Sequence, residues 1–435
     1  MKVVFLCGGV GKRMMPLMED KFLFKFLGKT LLEYHIDMAK KFGLNKFVVI
    51  ANDENVDRIK KIMEKYKADV VVQKSANGMA DALLTAKKFI YDDEIIIVNP
   101  NDVFDEKAYE KLLTSYKSKN AVSFITGHIV NEYFPGGYIT KDDDGYMKCL
   151  VEKPSKGEEP SNLVNIVLHL HKDTKKLFEY IEKVKSEKDD VYEKALDTMI
   201  KDNEKIYVVD YDGYWQAIKY PWHILLVLDY FMKKIKRRIS DSAEISDSAK
   251  IYGDVIIEDG VKILDNAVIN GPAYIGKNSV IGTNSLIWSG TQIGENCVVG
   301  FSTEIKHSFI GNNCWFHKNY VGDSIIGDEC SFGAGTITAN LRFDEKNISM
   351  NIQGKKMNTG MNKFGSVIGE SCHTGINVGI MPGIKAGPNS IIGPHVNLDK
   401  DLEPNKIVFQ NGKIIENKIK FPERNLAKLR KKLGD

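Results

Sequence analysis

The chain has 435 residues, a length that suits two or three domains rather than one. Hydrophobic residues make up 43% and charged residues 27%, and the formal net charge is only +3, so bulk charge calls for neither a nucleic-acid partner nor a membrane surface. No apolar run approaches the roughly 20 residues that span a bilayer. The six cysteines have no CxxC spacing, which argues against a zinc site or a disulfide framework and reads as reduced thiols in a cytoplasmic protein.

The first predicted element is a strand at residues 3–6, so the N-terminus reads as a strand and not as a signal peptide. It runs into a turn with glycines at Gly8, Gly9 and Gly11, closely followed by Arg13 and Lys21. Such a turn presents backbone N–H groups to a polyphosphate, and the two cations would neutralise charge on a phosphorus under attack. Alone, this pattern is more often a tight turn than a ligand site. Further strands at 46–50, 69–72 and 94–98 alternate with helices at 31–42 and 55–66, the rhythm of a mostly parallel sheet covered on both faces. In such sheets ligands sit beyond the carboxyl ends of the strands, where the glycine turn lies. A helical stretch beginning near Trp222 ends in the basic run KKIKRRIS, which reads as a solvated helix end rather than a nucleic-acid patch.

From Ile245 the period changes. Every sixth residue is aliphatic, through Ile251, Ile257, Ile263, Ile269, Ile275, Ile281, Ile287, Ile293, Val299 and Ile305. Four residues after each stands a small or β-branched residue, such as Ala267, Ser279 or Cys297. A period of six fits neither helix nor flat strand, but it does fit a three-sided coil in which each hexad is one side with its turn. The phase resumes at Ile368, Thr374, Ile380, Ala386, Ile392 and Leu398, and between the runs, at about 312–365, the pattern is broken or carries insertions. A strand-like segment and a short basic helix at 423–432 close the chain.

The segment GGVGKRMMPLMEDKFLFKFLGKTLLEYHI resembles the signature of the sugar-1-phosphate nucleotidyltransferases. Further matches follow in family order: Gln73 with NGMADAL, VNPNDVF, Gly137-Tyr138-Ile139, EKP, SNLVNIVLHL and GYWQAIKYPWHIL. This resemblance covers roughly residues 1–230. It implies attack of a sugar 1-phosphate on the α-phosphorus of a nucleoside triphosphate (UTP or dTTP), with Mg²⁺ assistance and release of pyrophosphate. By the same resemblance Arg13 and Lys21 are catalytic. Gly8, Gly9, Gly11, Gln73, Gly78 and Asp102 bind nucleotide, Asp102 also holds the metal, and Gly137, Glu152, Lys153 and Asn165 bind the sugar phosphate. The chain departs from the pattern at Lys12, Asp20, Asn101 and Val167, and Ala217 stands where the family has its second metal-binding aspartate.

In the second half, CWFHKNYVGDSIIGDECSFGAGTITANLRFDEK and TGINVGIMPG resemble the acetyltransferase part of bifunctional enzymes of nucleotide-sugar synthesis, most closely the archaeal-type sugar nucleotidyltransferase–acetyltransferases. The resemblance implies acetyl-CoA as co-substrate and His317 as the base that takes the amine's proton, with Lys306, Tyr320, Asn340 and Lys346 contacting substrate. Trp288 stands where the bacterial enzymes have a phosphate-binding arginine. His307, His373 and His395 have no such context and read as solenoid surface. The expected architecture is an α/β Rossmann-like nucleotidyltransferase domain (1–235), a left-handed parallel β-helix of hexapeptide repeats (236–405) and a strand/helix tail (406–435). A cytoplasmic homotrimer formed through the β-helix is expected. The main alternative is an acetyltransferase whose first domain is degenerate and regulatory or scaffolding; a purely structural solenoid is disfavoured by the His317 motif.

Overall fold

The structure is a computed structural model that describes every residue except 10, 76, 188, 420 and 422–435; the basic helix expected at 423–432 lies outside the described residues. The chain divides into two compact units. The first comprises Met1–Val10, Asp20–Phe24 and Thr30–Ala217; the second comprises Gly11–Glu19, Lys25–Lys29 and Ile218–Asp435.

The first unit is built on a nine-stranded sheet. Lys2–Leu6 pairs in parallel with both Phe47–Ala51 and Ile95–Val98, and Asp69–Val72 extends the parallel edge. Phe47–Ala51 and Ile95–Val98 are buried along their whole length, as strands must be when both faces are covered. Apolar clusters on the two sides of the sheet hold Phe5, Val49 and Ile96 in one and Val4, Ile50 and Ile97 in the other, the alternation of a strand's two faces. Beyond Ile95–Val98 the sheet turns antiparallel, through Leu163–His171, Gly137–Lys141 and Met147–Glu152. In this half Ser123–Ile129 and Ile206–Asp210 pair in parallel, and the helices Thr174–Lys183 and Val191–Lys201 lie in the connection between them, as parallel pairing requires. The GKTLLE stretch has a local explanation: Thr30 and Glu33 form a capping box, the Thr30 hydroxyl accepting from the Glu33 amide (3.2 Å) and the Glu33 carboxylate accepting from the Thr30 amide (3.0 Å).

The second unit contains the hexapeptide coil, a left-handed parallel β-helix with three parallel sheets as its sides. Ile257 pairs with Ile275 and Ile275 with Ile293 on one side; Ile263, Ile281 and Val299 follow on the next; Ile269, Ile287 and Ile305 on the third. These side chains are buried, and each fully buried aliphatic contributes about 1.5–3 kcal/mol of transfer free energy. The small positions fill the corners. Cys297, Cys314, Cys330 and Cys372 are buried there, and their thiols donate to the carbonyls of Gly311, Gly327, Gly369 and Gly387 at 3.0–3.2 Å. None of the six cysteines forms a disulfide.

Between 312 and 338 the coil is not broken. Its inward positions continue through Phe316, Val321, Ile326, Phe332 and Thr338, with steps that shorten from six residues to five at Ile310, Val321 and Ile326. Corners absorb the missing residues, so a strict six-residue count loses phase where the structure does not. The true insertion lies between Thr338 and Val367 and carries the hairpin Ser349–Ile352 with Lys355–Asn358. The two early segments join this unit through the Met18 amide, which donates to Glu370 (2.9 Å), and the Leu27 amide, which donates to Gln292 (2.9 Å).

His307 corrects a sequence expectation. It is not solenoid surface: its Nδ1 faces Asp323 (2.8 Å) and its Nε2 faces Asp229 (2.9 Å) on the helix His223–Met232. Burial alone would depress this imidazole, but hydrogen bonds to the two carboxylates outweigh it and raise it from 6.5 to about 9. The folded value exceeds the unfolded one, so this stabilisation is fully present below about pH 6.5 and is lost as pH rises through about 9. Denaturant unfolding at pH 6 and pH 9.5 should therefore reveal a loss of up to about 3 kcal/mol that His307→Gln removes; an unchanged pH dependence in that variant would show that the bridge carries no net charge coupling.

Candidate functional site

In the first unit the candidate nucleotide residues converge on the carboxyl end of Lys2–Leu6. The Gln73 side chain lies against Gly8, so closely that a Cβ on Gly8 would come within 2.4 Å of its Oε1. Its Nε2 donates to Asp81 (2.6 Å) and to the Gly78 carbonyl (3.3 Å), which fixes the amide beside the glycine turn. The turn is held from behind, because Asn55 donates to the Cys7 carbonyl (2.9 Å) and Asn52 to the Gly8 carbonyl (3.3 Å). Asp20, where the family has proline, accepts from Asn55 (3.0 Å) and Arg58 (3.3 Å) and so anchors the short helix Lys21–Leu23 that carries Lys21. Burial raises the Asp20 carboxyl despite the Asn55 hydrogen bond. Gly9 is open on its Cα side. Gly11 and exposed Arg13 belong to the early segment of the second unit.

The sugar-phosphate candidates form a second convergence. A Cβ on Gly137 would lie 3.0 Å from Glu152 Oε2 and 3.4 Å from Asn165 Cβ, so the three residues border one space. Lys153 has a left-handed backbone (φ 48°), uncommon for a residue with a side chain, and pairs with Glu152 at 2.8 Å. Burial would lower the Lys153 ammonium, but Glu152, Asp189 and Glu193 more than compensate and raise it. Burial, with Glu152 second, pushes Glu193 up to about 8.

Asp102 opens the strand Asp102–Phe104, which pairs antiparallel with Trp215–Ala217 in the register Ala217↔Asp102. The alanine therefore stands directly opposite the carboxylate. Trp215 Nε1 donates to Asp102 (3.3 Å), whereas Gln216 faces the other way and donates to the Ala217 carbonyl (3.0 Å). The donor set is thus one carboxylate, and among the described residues no cluster of three or more His, Cys, Asp or Glu side chains is placed to hold a metal. One carboxylate plus substrate phosphates and waters suits Mg²⁺, which retains water and demands few protein ligands. Val167 packs against the apolar cluster of Val4, Ile50 and Ile97, and its carbonyl accepts from the Asn99 amide (3.0 Å).

In the second unit Tyr320 borders a cavity of about 570 Å³ together with Glu304, Asn319, Gly335, Ile337 and Asn377. Asn340 donates to the Tyr320 hydroxyl (3.2 Å) and to Asp323 (2.5 Å). Lys306 pairs with Gly322 on the adjacent coil. Trp288 occupies the matching place one coil earlier and donates from Nε1 to Glu304 (2.7 Å). The His317 side chain is exposed at a coil corner, next to Lys318 of the cavity wall. Lys346 is exposed on the insertion. Sequence reasoning passed over Glu304, which lines this cavity, and His307, which faces Asp323, the acceptor of the Asn340 side-chain amide. Both flank Lys306 in the stretch EIKH, and that adjacency was the only signal available.

The nucleotidyl transferase family model matches residues 2–218, and the bacterial transferase hexapeptide model (six repeats) matches residues 272–307. The chain is 39% identical over 420 residues to the bifunctional protein GlmU of Methanococcus maripaludis, covering 95% of this chain and 98% of the relative. It is 38% identical to the bifunctional protein GlmU of Methanocaldococcus jannaschii over 97% of this chain and all of the relative. To the bifunctional sugar-1-phosphate nucleotidylyltransferase/acetyltransferase of Sulfurisphaera tokodaii it is 34% identical, over 92% of this chain and 98% of the relative. Glycine turn, paired convergences and coil thus occur in one chain that these relatives match from end to end, and the chain belongs to the family of bifunctional GlmU-type sugar-1-phosphate nucleotidylyltransferase/acetyltransferases.

Proposed function

We propose that the chain carries two activities of nucleotide-sugar synthesis: acetyl transfer from acetyl-CoA to the amine of an amino-sugar 1-phosphate, and nucleotidyl transfer from UTP or dTTP to a sugar 1-phosphate. The observation that supports both sites in one protein is the pairing of the Gly8–Gln73 and Gly137–Glu152–Asn165 convergences in the first unit with the Tyr320 cavity in the second. The relatives' full-length match disfavours a degenerate first domain. We assign the nucleotidyl-transfer domain to residues 1–235, the acetyltransferase domain to 236–405 and the tail to 406–435.

In nucleotidyl transfer, backbone N–H groups at Gly8, Gly9 and Gly11 cradle the triphosphate, and Arg13 and Lys21 offset its charge. Gln73 and Gly78 face the base. Lys153 orients the sugar phosphate, and Glu152 and Asn165 hold sugar hydroxyls, so that a phosphate oxygen attacks the α-phosphorus in line as the bond to pyrophosphate breaks. Mg²⁺, held by Asp102 and substrate oxygens, would offset charge on those phosphates. In acetyl transfer His317 takes the proton of the attacking amine, the new C–N bond forms at the thioester carbonyl, and the coenzyme A thiolate leaves. Tyr320, Asn340, Lys306 and Lys346 contact the substrates. With Trp288 in place of an arginine, Lys306 bears more of the phosphate recognition.

The solenoid leaves Trp288, Phe301, Ile337, Phe343 and Ile376 exposed, and Phe343 is fully so. Exposed apolar side chains in such number fit association between copies. A homotrimer in the cytoplasm is proposed, and among the described residues no helix is long and apolar enough to cross a membrane. Light scattering at micromolar concentration should return three times the chain mass of 49.0 kDa, and a monomer refutes the trimer.

His317→Ala should lower acetyl transfer by about 10²–10⁴-fold and leave pyrophosphate release unchanged; near-normal acetyl transfer in this variant removes His317 from the mechanism. Ala217→Asp adds a carboxylate opposite Asp102 and should lower the half-saturating Mg²⁺ for pyrophosphate release by about tenfold, in proportion to one added ligand. Saturation of the natural protein at low Mg²⁺, with no response to the substitution, would place the metal elsewhere.

A further inference from the structure

A buried polar chain runs behind the sugar-phosphate candidates and is used by nothing described above. Ser123 Oγ lies 2.7 Å from His171 Nδ1, and His171 Nε2 lies 2.8 Å from the Tyr192 hydroxyl. That hydroxyl lies 2.7 Å from His169 Nδ1, and His169 Nε2 lies 2.7 Å from Asn165 Oδ1. Ser123, His169, His171 and Tyr192 are each at most 1% exposed, while Asn165 is partly exposed. The chain joins the helix Val191–Lys201 to the strand Leu163–His171. In a regular strand Asn165 and His169 would be about 13 Å apart along the axis. The strand instead breaks register between Ile166 and His169, which brings the two side chains into contact.

Burial holds both imidazoles far below their ordinary value, His171 at about 3, so each ring is neutral and carries one proton. Two proton orders are then possible, one running toward Asn165 and one away from it. Two observations select the first. Asn165 turns its oxygen, which can only accept, toward His169. At the far end, among the described residues, the Ser123 hydroxyl has no hydrogen-bond acceptor other than His171; if the order ran the other way, its buried hydrogen would be unpaired.

We propose that Tyr192, His169, His171 and Ser123 are positioning residues for nucleotidyl transfer: their protons run from Ser123 to His171, to Tyr192, to His169, to Asn165, and this order locks the Asn165 amide with its oxygen inward and its NH₂ aimed at the sugar. The proposal rests on the reading that Asn165 faces the sugar 1-phosphate. The NH₂ of Asn165 and the carboxylate of Glu152 then border the Gly137 space as one donor and one acceptor, and the substituent opposite Asn165 must offer an oxygen. A hydroxyl or an acyl carbonyl fits there, and an ammonium does not.

The test uses the full chain in two arms. The first is ¹⁵N-histidine NMR at pH 7, which identifies the protonated nitrogen of each ring; His169 and His171 should both be Nε2–H. The second is pyrophosphate release with UTP and an N-acetylamino sugar 1-phosphate, in the natural protein and in Tyr192→Phe, His169→Leu and His169→Gln. Tyr192→Phe and His169→Leu should raise KM about tenfold with kcat within about twofold, the mark of lost substrate orientation without lost chemistry. His169→Gln, whose amide still donates to Asn165, should restore KM to within about threefold. An Nδ1–H ring at either histidine overturns the relay, whatever the kinetics. Unchanged KM in both Tyr192→Phe and His169→Leu overturns its role in positioning. Correct tautomers with no turnover of any sugar 1-phosphate by the natural protein refute the reading of Asn165 as a sugar residue, and the proposal falls with it.

Discussion

The second unit depends on one constraint: each coil sits directly on the one before it. The inward ladder that includes Ile257, Ile275 and Ile293, with its equivalents on the other two sides, fixes the axial spacing. Once the coils are stacked, everything on the outer faces is placed by register. Tyr320 comes beside Glu304, Gly322 beside Lys306, and Ile337 beside Tyr320 because the inner residues between them are paired. The cavity wall is therefore assembled from residues of several successive coils without any loop having to close over it. A site built this way is preorganised by the core rather than by its own contacts.

The first unit solves the same problem with a different element. Its candidate residues lie at strand ends and on turns, and the sheet holds them from below. Side chains fill in what the sheet leaves open. Gln73 is pinned by Asp81, Asp20 by Asn55 and Arg58, and Glu152 by Lys153. The two-residue juxtaposition of Asp102 and Ala217 follows from strand register alone. A carboxylate on the second strand would face the first across a short gap, and here a methyl group does.

Much of this was legible in the sequence because the signals were local or periodic. The hexads announce the coil, since two positions per repeat answer to the same packing demand over many turns. The glycine turn and the motifs after it mark the first unit for the same reason: each is a short stretch with its own geometry. What could not be read depends on distance in the chain. His307 looks like any surface histidine until Asp229, from a helix far upstream, is placed beside it. The Ser123–His171–Tyr192 contacts join residues 21 to 48 positions apart. The shortened coils hid for another reason. Losing one residue at a corner changes the count but not the stacking, so a periodic reading reports a break where the packing reports none. Val167, one of the departures from the family pattern, packs against the apolar cluster at the point where the register of its strand is irregular, a feature that no local signal marks.

The four corner cysteines lend themselves to an unplanned use. Each thiol is buried in a different coil and bonded to a carbonyl of the coil that follows, and burial raises Cys297, Cys330 and Cys372 above their ordinary range. A thiol in that state is inert toward alkylating reagents, because the nucleophile is the thiolate. Cys314 lies in the same row, its amide donating to the Cys297 sulfur (3.4 Å) and its thiol to the Gly327 carbonyl (3.2 Å). The solenoid thus carries a row of silent labels spaced along its axis. A stacked array whose coils touch only their neighbours can open from an end, and the order in which these labels become reactive would record the direction in which it unzips.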